Sequence, residues 1–120
     1  MTRRILVVDD EPSIRNLLKQ VLQEEGYRVE AAGSALEALD KLADESVDLA
    51  IVDLLLPGAN GLELAEAIRM LDPGTPVVLI TAYGSMAFES IASHPAIAHY
   101  VHKPFDLDRL LKVVRSRVSA

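Results

Sequence analysis

The sequence predicts a doubly wound α/β fold built on a five-stranded parallel sheet, and two observations predict it. Short and nearly continuous apolar runs, typical of strands buried on both faces, recur along the whole chain. Segments with the apolar spacing of helices lie between them, and crossovers of about twenty residues suit parallel strands. The 120 residues contain no repeat, linker or low-complexity tract, so we expect one domain over residues 1–120.

Five apolar runs are the predicted strands. Each has four residues, and those in the first, third and fourth runs are almost all β-branched or leucine, as in buried strands. The second and fifth runs are more mixed in composition. The five ranges are 5–8, 29–32, 49–52, 77–80 and 98–101.

The first two helices are predicted from apolar stripes with matching start and stop signals. Apolar residues at helical spacing extend from Ile14 to Leu22, and Gly26 is placed to end that helix as a C-terminal cap. The second helix follows Ser34, with Glu37 three residues later, which is the pattern of a capping box.

Three further helices are predicted from the same kinds of start and stop signal. A third helix begins behind Asn60 and should end near Asp72, since Pro73 cannot continue it. A fourth, over residues 86–93, has the weakest pattern. The last begins after Asp106, a residue type favoured as an N-cap.

Composition excludes several classes of function. The chain has 12 Lys and Arg against 18 Asp and Glu, a net charge of −6, which disfavours direct binding to nucleic acid. Cysteine is absent, so thiolate metal sites, disulfide frameworks and cysteine nucleophiles are excluded. No apolar run approaches the length of a membrane span or the pattern of a signal peptide. We therefore expect a cytoplasmic protein that does not associate with membranes.

Polar residues follow the predicted strands at the point where each strand ends. Asp9 and Asp10 follow the first strand, Asp53 the third, Thr81 the fourth and Lys103 lies just after the fifth. The carboxyl ends of parallel strands share one edge of the sheet, where ligands of such folds bind. We expect these five side chains to converge there.

The chemistry of this set favours a phosphoryl site. Clustered carboxylates repel one another unless a cation neutralises them, and Mg2+, or Mn2+ in its place, prefers such oxygen ligands. Lys103 and the Thr81 hydroxyl could then hold phosphoryl oxygens. Asp53 stands alone after the most apolar strand and is the predicted nucleophile, whereas the adjacent Asp9 and Asp10 suit the ion.

Four motifs carry a resemblance to a known family. They are VVDDEP at residues 7–12, DLLLPGANG at 53–61, TAYG at 81–84 and YVHKPF at 100–105. In this order and spacing the chain resembles the receiver domain of two-component response regulators over essentially its whole length. The resemblance implies a flavodoxin-like (βα)5 fold with strand order 2-1-3-4-5. The chain would be a free-standing receiver or the N-terminal domain cut from a longer regulator.

The resemblance also implies a role for each site residue. Asp53 would accept a phosphoryl group from a sensor histidine kinase or a histidine phosphotransfer protein. Mg2+ would be bound by Asp10, Asp53 and the main-chain carbonyl of Leu55, with Asp9 acting mostly through water.

The rest of the implied machinery converts phosphorylation into a change of shape. Thr81 and Lys103 would contact the phosphoryl oxygens, and Tyr100 would turn inward when Thr81 moves. The Lys103–Pro104 peptide is expected to be cis. The domain would be a switch rather than a turnover enzyme, controlling an output domain or partner, and phosphorylation-dependent homodimerisation is an expectation by family likeness.

Other classes of function fit the residues less well. An aspartyl phosphatase of similar fold needs a second aspartate two residues after its nucleophile, and that position is Leu55. A nucleotide binder needs a glycine-rich first turn, whereas residues 9–11 are all acidic. A docking domain that is never phosphorylated does not explain the complete set of five residues.

Simpler interpretations apply to single residues. The acids at residues 9–11 could simply stabilise the start of the first helix, where the helix dipole favours them. For Glu11 we expect a structural role, with a water-mediated role at the ion as the alternative. A metal site built from His94, His99 and His102 is disfavoured, since His99 and His102 point to opposite faces of one strand.

Overall fold

The computed structural model describes residues 2–81 and 94–118, and its architecture is the doubly wound α/β fold that the sequence predicts. The predicted helix over residues 86–93 lies outside these residues. The strands are β1 Arg4–Val8, β2 Arg28–Ala32, β3 Leu49–Asp53, β4 Leu55–Leu56, β5 Ala59–Asn60, β6 Val77–Thr81 and β7 His99–His102. The helices are α1 Pro12–Glu24, α2 Ala35–Asp44, α3 Gly61–Leu71 and α4 Leu107–Arg117.

The main sheet has five parallel strands in the order β2-β1-β3-β6-β7. Counting only these five along the chain, the order is 2-1-3-4-5, which confirms the expectation from the resemblance. The pairing aligns the carboxyl ends of the strands, with Val8 opposite both Ala32 and Val52. The sequence did not predict the short antiparallel ladder in which Leu55 pairs with Asn60.

The core has two apolar clusters, one on each face of the sheet. Successive side chains of a strand point to opposite faces, so Leu6 and Val8 of β1 belong to one cluster, while Ile5 and Val7 belong to the other. Helices α2 and α3 cover the first cluster, and α1 and α4 cover the second. Burial of both faces explains why the strand sequences are almost uninterrupted apolar runs.

The predicted caps set the ends of the helices. Side-chain oxygens of Ser34, Asn60 and Asp106 accept hydrogen bonds from main-chain N–H groups in the first turns of α2, α3 and α4. Helix α1 ends at Glu24, and Gly26 follows in a left-handed conformation with φ of 98°. None of the described helices has the length and apolar character needed to span a membrane.

Each of the five strands of the main sheet differs from its predicted range by one residue at one end or at both. The fifth strand of the sheet is His99–His102, one residue later than the predicted range 98–101. Strand β1 begins one residue early, at the buried Arg4, whose main-chain N–H donates to Asp48 Oδ2 at 2.8 Å.

The charge of the buried Arg4 is compensated at the amino edge of the sheet, the side where the parallel strands begin. Its guanidinium donates to the main-chain oxygens of Glu45 and Ser46 and lies 3.2 Å from a carboxylate oxygen of Glu30. The hydrogen bond from Arg4 holds the pKa of Glu30 below its ordinary value. This network joins β1, β2 and the loop before β3, and it stabilises the edge opposite the candidate site.

Close backbone packing after β3 requires the glycine at position 61. Gly61 N donates to Leu54 O, and a Cβ on Gly61 would lie only 2.2 Å from Asp53 O and 2.9 Å from the Leu54 Cα. Both atoms belong to the backbone, so no side-chain adjustment could relieve the clash. The start of α3 therefore fits directly against the end of the strand that carries Asp53.

We predict that Gly61→Ala lowers the free energy of unfolding by about 1–3 kcal/mol, the usual cost of overpacking. Urea denaturation measures the change. Gly74→Ala is the matched control, because a Cβ there would come no nearer than 3.4 Å to a side-chain atom, Asp72 Oδ1. Equal stability of the two variants would contradict the steric argument.

Candidate functional site

The carboxyl edge of the sheet brings together the strand-end residues that the sequence singles out. Asp53 is the last residue of β3 and Thr81 the last of β6, and both are buried. Asp9 follows β1, with its N–H donating to Ala32 O. Lys103 follows β7, and its N–H donates to Thr81 O at 2.8 Å.

The Lys103 ammonium is the centre of the site. Its Nζ donates to Asp53 Oδ2 at 2.8 Å and lies 3.2 Å from Asp9 Oδ2. It also donates to Glu11 Oε1 at 3.2 Å. The side chains of Asp9 and Asp53 are 1% and 7% exposed, so one cation compensates two buried carboxylates. The three ion pairs join residues that are 50 to 94 positions apart in the sequence, and the sheet brings these residues together.

Burial and neighbouring groups both shift the pKa values of Asp9 and Lys103. Burial raises the pKa of Asp9, and the negative charge of Asp53 adds to this effect; together they outweigh the Glu11 N–H and the Lys103 charge. Burial alone would lower the pKa of Lys103. The hydrogen bond to Asp53 and the charges of both aspartates outweigh burial and hold the pKa of Lys103 above its ordinary value. The ammonium is therefore charged throughout the physiological range.

The three aspartates form a candidate metal centre. One oxygen from each of Asp9, Asp10 and Asp53 can lie within 4.8 Å of the others, and Asp10 is exposed while the other two are buried. Asp9 Oδ2 is buried and, apart from its ion pair with Lys103, has no polar partner within the described residues. A set of hard carboxylate oxygens with an exposed side fits Mg2+, which keeps several of its waters. The residues present therefore fit this ion.

Main-chain groups fix the orientation of the carboxylates. Leu55 N donates to Asp53 Oδ1 at 3.1 Å, and Glu11 N donates to Asp9 Oδ1 at 2.9 Å. The Leu55 side chain is about half exposed. Its carbonyl as a metal ligand stays a prediction.

The expected switch residues lie on neighbouring strands. Tyr100 pairs with Leu79 in the register of β6 and β7, and Thr81 pairs with His102 two positions further along. The Tyr100 ring is partly buried and stacks on His99, with ring centroids 6.1 Å apart. The inward turn of Tyr100 stays a prediction. The Lys103–Pro104 peptide is cis, as the resemblance implies.

The structure shows a contact of Glu11 that the sequence did not predict. This residue is the N-cap of α1, but its side chain makes no capping hydrogen bond and contacts Lys103 instead. Sequence reasoning missed the contact, because the two residues belong to different loops. It also missed Arg15, which donates to Asp9 O at 3.0 Å.

The histidines do not form a metal centre within the described residues. The aspartate cluster is the group with suitable geometry in the part of the chain that the structure describes. His94 instead lies 3.3 Å from Glu66 of α3 and accepts a hydrogen bond from Ala96 N.

Comparison with known sequences gives a consistent result. The family model described as the response regulator receiver domain matches residues 5–115. Sporulation initiation phosphotransferase F of Bacillus subtilis is 35% identical over 116 residues, covering 96% of this chain and 93% of that protein. Response regulator protein PilR of Pseudomonas aeruginosa is 39% identical over 93% of this chain, but the match spans only 25% of PilR. The chain thus corresponds to nearly all of one relative and a quarter of another.

Two solved structures of response regulator proteins are also similar to this chain. A CheY-like response regulator receiver domain protein from Methanospirillum hungatei superposes with a TM-score of 0.90 at 35% identity, covering 97% of this chain and 93% of that one. Response regulator protein TrrA from Thermotoga maritima, solved in complex with Mg(2+)-BeF, has a TM-score of 0.87 at 44% identity and covers 98% of this chain and 100% of its own.

We predict that Lys103→Met lowers the free energy of unfolding at pH 7 by about 3 kcal/mol, the lower end of the range for breaking a buried ion pair, because two buried carboxylates lose their cation. The pKa of Asp9, already raised, rises further in the variant. A carboxyl whose pKa is higher in the folded state favours folding at acidic pH and loses this contribution as pH rises. The deficit relative to wild type should therefore be smaller at pH 5 than at pH 7 in urea denaturation. A deficit independent of pH would contradict this account.

Proposed function

The chain belongs to the response regulator receiver domain family of two-component systems, and we propose that Asp53 is its phosphoacceptor, receiving a phosphoryl group from a sensor histidine kinase or a histidine phosphotransfer protein. One observation carries the proposal. Asp53 ends the central strand β3 with its carboxylate 2.8 Å from the Lys103 ammonium and next to the paired acids Asp9 and Asp10. Similarity to a sporulation phosphotransferase over nearly its whole length supports a role in phosphotransfer.

The geometry of Asp53 suits nucleophilic attack. Leu55 N and Lys103 Nζ each occupy one of its two oxygens, and an ionised carboxylate has further lone pairs to offer. An oxygen of Asp53 attacks phosphorus while the bond between phosphorus and the donor imidazole nitrogen breaks. Lys103 is placed to move from Asp53 to a phosphoryl oxygen, and Thr81 at the end of β6 offers a hydroxyl to another.

A divalent ion completes the proposed site. Asp10, Asp53 and the carbonyl of Leu55 are the proposed ligands for Mg2+, with Asp9 acting mostly through water, and Mn2+ would serve in its place. When bound, the ion supplies positive charge that offsets the repulsion between the carboxylates and the phosphoryl oxygens. The Mg(2+)-BeF complex of TrrA, a protein of the same family, supports this assignment.

Receiver domains are signalling switches, and we propose that this one is read through β7. Phosphorylation adds about −1.5 to −2 charges at Asp53, and the conformation in which Thr81 and Lys103 meet that charge gains in population. Tyr100 then turns inward. Repeated turnover of an external substrate is not expected, since Leu55 replaces the aspartate that a phosphatase would need.

Response regulators interact with histidine kinases and output domains, and the specific partners of this chain are proposals. The match spans about half of DNA-binding response regulator MtrA of Mycolicibacterium smegmatis and a quarter of PilR. We propose control of an output domain or separate protein, in the cytoplasm, without direct contact of this domain with nucleic acid. Homodimerisation on phosphorylation is a further proposal.

We predict that incubation with Mg2+ and acetyl phosphate adds one phosphoryl group to the protein, measured as intact mass. The gain should disappear in Asp53→Asn and in the presence of a chelator. Asp40→Asn, which removes an exposed carboxylate from α2, is the matched control and should be phosphorylated like wild type. No gain in wild type under any condition would favour a docking domain that is not phosphorylated.

We also predict that Thr81→Ala accepts the phosphoryl group but responds less in structure, because the hydroxyl that would meet the phosphoryl oxygen is lost. Amide chemical shifts of β7, compared before and after phosphorylation, measure the response. Thr81→Ser keeps the hydroxyl and should restore most of it. Identical shift changes in Thr81→Ala and wild type would sink the assignment of Thr81 to the switch.

A further inference from the structure

Three carboxylates surround the Lys103 ammonium, and they differ in exposure. Asp9 and Asp53 are buried, whereas the Glu11 side chain is 55% exposed. All three oxygens lie within 3.2 Å of Nζ. Because a buried carboxylate cannot be left without a partner at low cost, Glu11 is the member of the group that can gain or lose the ammonium most freely.

The Glu11 side chain contacts Lys103 and makes no capping hydrogen bond to its own helix. Its main-chain N–H is used by Asp9 Oδ1, which fixes the turn between β1 and α1. Its carboxylate makes no capping bond to α1 and reaches across to the loop after β7. The side chain therefore links two loops that carry site residues, rather than stabilising its own helix.

Lys103 and a divalent cation would interact with the same carboxylates. The ammonium lies on Asp9 and Asp53, and both belong to the aspartate cluster that fits the ion. A cation bound at these carboxylates would lie close to the Lys103 ammonium. The two positive charges repel each other unless the ammonium moves toward another anion. Glu11 already lies at hydrogen-bonding distance from Nζ and can receive it.

We propose that Glu11 is a positioning residue that holds the Lys103 ammonium at the mouth of the site and becomes its principal partner when a divalent cation occupies Asp9 and Asp53. The inference rests on the metal site of the proposed function. It assigns to Glu11 a role in cation affinity that is exerted through Lys103 and not through direct ligation.

The test is a calorimetric titration with Mg2+ alone, without any phosphodonor. Glu11→Gln should bind Mg2+ about two- to fivefold more weakly than wild type, the range expected for loss of a partly exposed ion pair. Glu11→Asp keeps the charge but shortens the side chain by one methylene, and it should be weakened to a similar degree. Glu24→Gln removes the same charge from the far end of α1, about 20 Å away, and should bind like wild type.

A double-mutant cycle separates positioning from a simple charge effect. In a Lys103→Met background, Glu11→Gln should weaken Mg2+ binding less than in wild type, because no ammonium remains to be positioned. Circular dichroism shows whether Lys103→Met is folded. If it is not, Glu11→Asp distinguishes positioning from a charge effect, because this variant keeps the charge and changes only the reach of the side chain.

Two results would overturn the inference while leaving the proposed function intact. One is wild-type affinity in Glu11→Asp, and the other is an undiminished effect of Glu11→Gln in the folded Lys103→Met background. Absence of Mg2+ binding by the wild-type protein would instead contradict the metal site of the proposed function, and this inference with it.

Discussion

The ion pair between Lys103 and Asp53 is the interaction on which the site depends. Burying Asp53 beside Asp9 is unfavourable, and the ammonium of Lys103 offsets it. That ammonium comes from the loop after β7, fifty positions away, and it reaches Asp53 across the end of β6, which lies between β3 and β7 in the sheet. The ion pair therefore depends on the fold as a whole, and the packing that buries both faces of the sheet also buries the two carboxylates.

Backbone contacts extend this dependence to the remaining site residues. The N–H of Lys103 donates to Thr81 O, which joins the two residues proposed to meet the phosphoryl group. The N–H of Leu55 donates to a side-chain oxygen, Asp53 Oδ1, and so fixes the orientation of that carboxylate. A displacement of one of these strand ends is therefore transmitted to its neighbour through hydrogen bonds donated by main-chain N–H groups.

Much of this arrangement could be predicted from the sequence, because it follows from local patterns. Apolar runs give the strands, Ser34, Asn60 and Asp106 give the helix starts, and parallel strands place their carboxyl ends together. The failures have physical causes. Arg4 was not predicted to belong to β1, because a charged residue before an apolar run normally lies outside a buried strand. Here ion pairs allow it to be buried. The two-residue strands β4 and β5 are too short for periodicity to detect, and the contact of Glu11 with Lys103 depends on how far two long side chains reach.

The two edges of the sheet are held together by separate sets of charges. The network around Arg4 closes the amino edge, and five-residue strands place it about 15 Å from the carboxylates. Interactions this far apart, with no shared partners, contribute almost additively to stability. The loops of the carboxyl edge can thus accumulate changes that alter recognition while the opposite edge keeps the domain folded. Such modularity makes the scaffold evolvable: new specificities can arise without rebuilding the fold.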